Sequence, residues 1–502
     1  MATTFSRRGF LGAGVGAGAT LAGATGAPNA AFAQFAINAG DGGLLALARD
    51  MQGRLLLPDD YAYRYSARSN NARYDNVLPR AIALCASESD VVRCLRWARD
   101  NREVFAVRSG GHSYAGYSTT PGLLIDMRAL NRISVDPDQQ TLTVQGGATN
   151  QDVANVLSAY PFAIPSGRCP TVGVTGLTLG GGWGFASTHA GLTCDRLLST
   201  DLVPAGLEPI TASAQTNADL FWALRGSGGG NFGVHTRLTY RMVPVHEVTV
   251  FNIVWPAQKQ VELMLALQDL QLSNPRDIST RSKVAAERAG AFLGRDQFAA
   301  QTLGVFYGPE SAFRELIQPL FRLLEPARAH IRQMGYWEAR DYLVTDDPEG
   351  FFDVRSSMVQ EQLAADALEA SLSWMSKWPG GSMRQANMGI LFAIGGAVGD
   401  KKPDETAYVH RGSNFIFEME RTWSPLDPPQ LLEQQARWLD DYFADMQRFV
   451  LPRSYVNFPD RTLKDWQQAY YGENLARLST VKRRYDPDNL FRFQQSIPLS
   501  PA

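Results

Sequence analysis

Two glycine-rich segments each present one nucleophilic side chain: Arg108-Ser109-Gly110-Gly111-His112-Ser113-Tyr114, and Gly167-Arg168-Cys169-Pro170-Thr171-Val172-Gly173, the second running on to Gly180-Gly181-Gly182-Trp183-Gly184. Backbone without β-carbons lets a flat, phosphate-bearing molecule lie against the main chain. A thiolate and an imidazole nitrogen are both able to bond an electron-poor ring. Taken alone, His112 reads better as a hydrogen-bonded loop histidine and Cys169 as a small buried thiol. Their two matching glycine contexts reverse that preference. A third segment, Gly226-Ser227-Gly228-Gly229-Gly230-Asn231-Phe232-Gly233, follows a short helix over 219–225 and offers further backbone amides to a phosphate or a ring.

The elements that must hold these segments are legible in outline. Apolar runs predict strands at 81–84, 104–107, 123–126 and 142–145, and helices over 90–98 and 150–159. Beyond Pro256 the glycine cradles stop. Strands at 251–255, 302–307 and 414–420 and a helix over 309–324 suit a second domain that covers a pocket. A last helix, 470–484, is expected to fold back on the first domain. At 502 residues the chain exceeds what one core usually fills, about 250 to 300 residues, so two domains are expected. Forty-five glycines and twenty-seven prolines favour a loop-rich α+β fold over a helical bundle. A net charge of -2 with 20% charged residues gives no support to a nucleic-acid partner.

The N-terminus carries Ser6-Arg7-Arg8-Gly9-Phe10-Leu11, then a Gly/Ala run, then a small-residue cleavage site at Ala31-Phe32-Ala33. This order predicts a twin-arginine signal over 1–33, the translocase of that route as a partner, and a periplasmic or extracellular destination. The run is too broken by glycine to span a membrane. The four cysteines are too few and too irregularly spaced for a disulfide framework or a zinc site. Cys85, Cys94 and Cys194 read as structural, a Cys85 to Cys94 bond being conceivable but unsupported. His189, His235, His246 and His330 read as structural and His410 stays open. None of them has metal-ligand spacing.

With the histidine motif, the cysteine motif, Tyr471-Gly472-Glu473-Asn474 and Tyr485-Asp486-Pro487-Asp488-Asn489-Leu490-Phe491, the chain resembles the FAD-linked oxidases of the berberine bridge enzyme group, within the vanillyl-alcohol oxidase superfamily. The resemblance implies a two-domain PCMH-type FAD-binding fold with an antiparallel-sheet substrate domain. Its implied boundaries are an FAD-binding domain over 34–250 with a core at about 75–247, a substrate domain over 251–450, and a returning segment over 451–502. It implies FAD bonded twice, through the flavin 8α-methyl to His112 and through C6 to Cys169. Further cofactor contacts are implied at Arg108, Ser109, Gly110, Gly111, Ser113 and Tyr114. The cysteine segment adds Val172, Gly173, Gly176, Gly181 and Gly182, the third segment Gly230, Phe232, Gly233 and Val234, and the C-terminal motifs Tyr471, Asn474 and Asn489.

The reaction so implied is oxidation of an alcohol or hemiacetal, in a sugar or a secondary metabolite, by hydride transfer to flavin N5 with oxygen reduced to hydrogen peroxide. In the family, a valine three positions after the cysteine accompanies an open oxygen pocket, and this chain has Val172. The usual base is the last tyrosine of a Tyr-x-Asn-Tyr run, which here reads Tyr455-Val456-Asn457-Phe458. Phe458 exchanges no proton, so the acid–base candidates become Tyr455, Glu418 and Glu420. Tyr455 shares a side with Phe458 only if the backbone is not extended. The two glutamates fall on one face of the expected strand, and they are equally readable as solvated residues. Asp460 reads as a turn residue. Trp183 is a candidate stacking wall for the substrate, or simply packing. Two other readings stand beside the oxidase: a dehydrogenase of the same fold with a non-oxygen acceptor, and a flavin-binding protein that has lost turnover. A nicotinamide-dependent reductase fits double tethering poorly.

Overall fold

The continuous apolar runs Ala81–Leu84 and Leu123–Asp126 are buried except for the half-buried Leu84, as strands covered on both faces must be. They pair in parallel, and with Arg54–Leu56 and Phe105–Arg108 on the outside they make a four-stranded sheet. The crossover helix Glu88–Asp100 is capped by Ser87, whose side chain accepts the Asp90 N–H. This computed structural model describes residues 42–286, 298–344, 350–383 and 387–500, and the expected export signal lies outside them. Residues 43–502 form one compact unit.

A second sheet is antiparallel, in the order Ile133–Asp136, Thr141–Gln145, Val234–Arg241, Leu197–Val203, Ile210–Ser213. The helix Asn150–Leu157 starts from a reciprocal cap between Thr149 and Asp152 and packs Val153 and Leu157 against this sheet's core.

The third sheet has seven antiparallel strands, in the order Arg328–Gly335, Glu247–Trp255, Phe298–Phe306, Ile278–Ala286, Asn387–Ala393, Phe415–Trp423, Phe351–Val359. Its side chains alternate with period two. Phe415, Phe417 and Met419 face a layer of helices that includes Gln260–Ser273 and Pro429–Met446, whereas Ile390, Phe392 and Ile416 face Trp183, Phe185 and Tyr455 of the glycine-rich half. That second face positions the site. No described helix is long and apolar enough to cross a membrane.

Several expected bounds move. The seven-stranded sheet begins at Glu247, so a division after residue 250 cuts its first strand. Ladder pairing carries that strand and Phe298–Phe306 beyond the apolar runs that announced them. The expected helix 470–484 is two helices, Trp466–Tyr471 and Leu475–Tyr485, because Gly472 sits at φ +48° between them. The returning segment does dock on the first half: Tyr470, Tyr471, Leu478 and Ile497 share a core with Phe221, Trp222 and Leu238. All four cysteines are buried and none is in a disulfide among the described residues, so Cys85 and Cys94 are not joined.

Candidate active site

The histidine and cysteine loops interlock backbone to backbone. A β-carbon on Gly110 would strike the Gly173 amide and the Thr171 carbonyl, and one on Gly173 would strike Ser109 and Gly110. His112 Nε2 meets Thr171 Oγ1 at 2.7 Å, so the nucleophile of one loop is oriented by the other. Ser109 Oγ donates to the Gly146 carbonyl at 2.8 Å and anchors the same junction. Both His112 and Cys169 line one cavity of about 680 Å³. Gly110→Ala is expected to part the loops: the purified variant should retain well under half of the native flavin by absorbance, with a lower melting temperature. Native flavin content in it would remove the case for close packing.

The cavity fits a phosphate-bearing, hydrogen-bonding cofactor. Tyr117 Oη, Ser118 Oγ and Ser227 Oγ are buried, belong to lining residues and have no partner within the protein, a costly state unless a ligand satisfies them. Over Gly176, also in the lining, an added β-carbon meets nothing within 4 Å. The charged lining residues Arg168, Arg461 and Arg492 are all cationic, and no described lining residue is acidic. The third glycine segment contributes Ser227 to Asn231 and Gly233, and Tyr471 Oη donates to the Ser227 carbonyl at 3.0 Å.

Aromatic rings close the other end. Residues 455–458 form a turn in which the Phe458 N–H donates to the Tyr455 carbonyl at 2.9 Å, so the backbone is not extended and the two rings meet edge to face at 5.1 Å. Phe458 stacks on Tyr114 at 5.3 Å, and Tyr114 meets Phe352 edge-on. Tyr455 Oη accepts the N–H groups of Gly182 at 3.0 Å and Trp183 at 3.1 Å, and the Asn457 side-chain amide at 3.1 Å. Burial nevertheless outweighs these donors and pushes the phenol up to about 12. Trp183 donates its indole N–H to the Ala393 carbonyl at 2.6 Å and packs on Phe392 while lining the cavity.

Of the expected contacts, Ser109, Gly110, Gly111, Ser113, Tyr114, Val172, Gly173, Gly176, Gly230, Gly233 and Tyr471 join His112 and Cys169 in the lining, whereas Arg108, Gly181, Gly182, Phe232, Val234, Asn474 and Asn489 stand outside it. Arg108 is 1% exposed and spends its guanidinium on the carbonyls of Ser66, Ala67, Arg68 and Ser118, so it secures the histidine loop rather than the cofactor. The Gly181 N–H donates to the Thr178 carbonyl and its carbonyl accepts the Cys194 N–H, while the Gly182 N–H donates to Tyr455 Oη. Phe232 and Val234 are core residues. Asn474 donates to the carbonyls of Pro403, Thr406 and Ala407, and Asn489, at φ +51°, makes a turn. Glu418 and Glu420 lie on the sheet face that looks toward the site but outside the lining. Asp460 is a turn residue, its carboxylate accepting the Thr462 N–H.

Sequence reasoning passed over Tyr117, Arg461 and residues 492–495, all in the lining, and Thr171, which holds the His112 ring. It also set His235 aside as structural. That ring lines the cavity with Nδ1 on Thr200 Oγ1 at 2.8 Å, and burial drives it down to about 3, so it is neutral. His410 is held down to about 3 by burial as well, and sits behind Tyr408 rather than in the lining. Only Thr171, inside the cysteine motif, carried a signal that could have flagged it.

Two family matches fall on the segments that build this cavity: an FAD binding domain over residues 79–207, and the berberine and berberine-like family over residues 454–498. The chain is 31% identical over 457 residues to an uncharacterised FAD-linked oxidoreductase of Bacillus subtilis, covering 89% of this chain and 97% of the relative. It is 29% identical over 450 residues to the glucooligosaccharide oxidase of Sarocladium strictum, covering 82% and 86% of the two chains. Among solved structures, that of the berberine bridge enzyme from Eschscholzia californica superposes with a TM-score of 0.81 at 25% identity, covering 91% of this chain and 99% of that one.

Proposed function

The chain belongs to the berberine bridge enzyme-like family of FAD-linked oxidoreductases, with its PCMH-type fold, and from that premise we propose that it is an exported oxidase carrying a doubly attached flavin. The substrate is an alcohol or hemiacetal of a sugar or secondary metabolite, converted to the carbonyl compound or lactone, with oxygen reduced to hydrogen peroxide. The observation that carries this reading is that His112 and Cys169 stand on two interlocked loops and line the same cavity. Bound FAD supplies the two-electron acceptor for the substrate's hydride.

The residues supply orientation and proton handling. Tyr455 keeps its proton at neutral pH and, fixed by three N–H donors, offers its O–H to a substrate oxygen. Glu418, with Glu420 beyond it, lies outside the lining and on the sheet face toward the site, so its proposed part in the substrate's proton transfer is indirect, through an intervening group. Glu418 is 3% exposed and pairs across the sheet with Ser356, whose hydroxyl accepts the Tyr455 backbone N–H at 3.3 Å. Trp183 and Phe458 form the wall against which the substrate lies. Val172, in the lining, keeps the oxygen side open.

Phe458→Tyr places a hydroxyl where family members carry their base. The flavin of this variant is expected to be reduced on the order of tenfold faster or more, in anaerobic stopped-flow mixing with a substrate of the native protein. An unchanged rate would show that proton transfer is already handled elsewhere without cost.

The function is tested by aerobic screening of sugars, alcohols and phenolics with peroxide detection. Peroxide with a matching carbonyl product supports the oxidase. Substrate-reduced flavin that air reoxidises slowly and a quinone rapidly would make it a dehydrogenase. Flavin reducible by no compound would make it a binding protein. Export is tested separately, by replacing Arg7 and Arg8 with lysine and following the protein between cell fractions.

A further inference from the structure

Gly233 and His235 bring the strand Val234–Arg241 to the cavity. Side chains alternate along a strand. Val234 packs in the core around the helix Glu88–Asp100, and Thr236 donates its hydroxyl to Glu88 at 2.8 Å, so both face that helix. Gly233 and His235 take the opposite face, the one that lines the cavity. A β-carbon on Gly146 would strike the His235 carbonyl, and the Gly146 carbonyl is the anchor of Ser109. The imidazole of His235 therefore stands in the wall beside the histidine loop.

The hydrogen bonds around this ring fix where its proton sits. Thr200 Oγ1 lies 2.9 Å from the Arg237 carbonyl and 2.8 Å from His235 Nδ1. A carbonyl only accepts, so the hydroxyl gives its single proton to Arg237 and has only lone pairs left for the ring. Nδ1 therefore carries the imidazole proton. Burial brings the ring's pKa down to about 3 and so keeps it neutral. Nε2 is then a bare lone pair, with no hydrogen-bond partner among the described residues. The residue is 4% exposed, and an unused acceptor at that depth is costly unless something in the cavity satisfies it.

We propose that His235 Nε2 accepts a hydrogen bond from an N–H or O–H group of bound FAD, which makes this wall selective for a donor on the cofactor. Phosphate oxygens and ring carbonyls only accept and gain nothing there. The donors FAD offers are the adenine 6-amino group, the ribose and ribityl hydroxyls and the flavin N3–H. Thr200 acts as a positioning residue: without its bond to Nδ1 the ring can take the other tautomer and present an N–H in place of the lone pair. The inference rests on the reading of this cavity as the FAD site.

The test reads binding, in the His112→Ala, Cys169→Ala protein so that flavin exchanges freely, by absorbance and flavin fluorescence after equilibrium dialysis. His235→Leu is expected to weaken FAD binding on the order of tenfold, and His235→Gln, which keeps an acceptor near the Nε2 position, to weaken it far less. Four FAD analogues identify the donor: hypoxanthine in place of adenine, a deoxyribose, a deoxyribityl chain and a 3-methylflavin. One of them should bind about tenfold more weakly than FAD to the protein with His235, and no more weakly than FAD to the His235→Leu variant. Nitrogen-15 NMR of histidine-labelled protein should show the proton of His235 on Nδ1, and the same analogue should shift the Nε2 resonance. The NMR reading needs no substitution at 235, so a variant that fails to fold leaves the test standing. A proton on Nε2, equal binding of FAD and all four analogues, or an analogue loss that persists in His235→Leu overturns the inference. Failure of FAD itself to bind would instead remove the reading of the cavity as the FAD site, whereas tight FAD binding with every analogue alike would leave that reading intact.

Discussion

Acid precipitation of the His112→Ala, Cys169→Ala protein is expected to leave a colourless pellet under a yellow supernatant, whereas the native pellet stays yellow. Only covalent attachment survives loss of the fold, so colour in the pellet reports bonds and not binding. Each single variant should keep a yellow pellet through the tether that remains. The two side chains proposed as tethers line one cavity because Gly110 and Gly173 let the loops touch through their backbones, and Thr171 holds the His112 imidazole. Each bond from the ring to a protein heteroatom also withdraws electron density, so the single variants should hold a flavin of lower potential and be reduced more slowly by the same substrate.

The second large effect lies away from the flavin attachment points. Lys482 and Asp486 are both fully buried and paired at 2.7 Å. The ammonium also donates to the carbonyls of Asn231 at 2.7 Å and Phe491 at 2.6 Å, and the carboxylate accepts the N–H groups of Leu490 and Phe491. Asn231 belongs to the third glycine segment and Phe491 to the C-terminal run, both in the cavity lining, so one side chain ties two walls of the site together. Lys482→Met removes the charge and leaves Asp486 buried without its counter-ion. The expected cost is about 3 to 5 kcal/mol in reversible denaturant unfolding, together with weakened flavin retention. Adding Asp486→Asn should recover part of that cost, since both charges are then gone. A Lys482→Met protein as stable as the native one would show that the walls hold without this tie.

Neither residue of that pair was singled out from the sequence, although both lie in or beside a motif that was. What local pattern shows is limited to neighbours along the chain. The strands Ala81–Leu84 and Leu123–Asp126 and the helix starting at Asn150 were legible because unbroken apolar runs and apolar periodicity are local signals. The three glycine segments were legible because their composition is extreme. The meeting of Tyr455 with the amides of Gly182 and Trp183 was not, since it joins chain positions more than 270 residues apart. Arg108 misled for the same reason: a cation in a cofactor motif suggests a phosphate, yet its partners are backbone carbonyls some 40 residues upstream, supplied by the fold. The side on which Tyr455 lies was undecidable until the turn over 455–458 was visible, because the sequence Tyr-Val-Asn-Phe suits a strand as readily as a turn. Glu418 and Glu420 were placed on one face by simple alternation, but which face could only come from the order of seven strands.

The proposal of one flavin gripped by two loops is tested most directly by mass spectrometry of tryptic digests of the native protein. The expected result is a single species in which the peptides containing His112 and Cys169 are joined through one FAD, with both plain peptides depleted. Finding both peptides at their unmodified masses, in protein that still contains stoichiometric flavin, would contradict it.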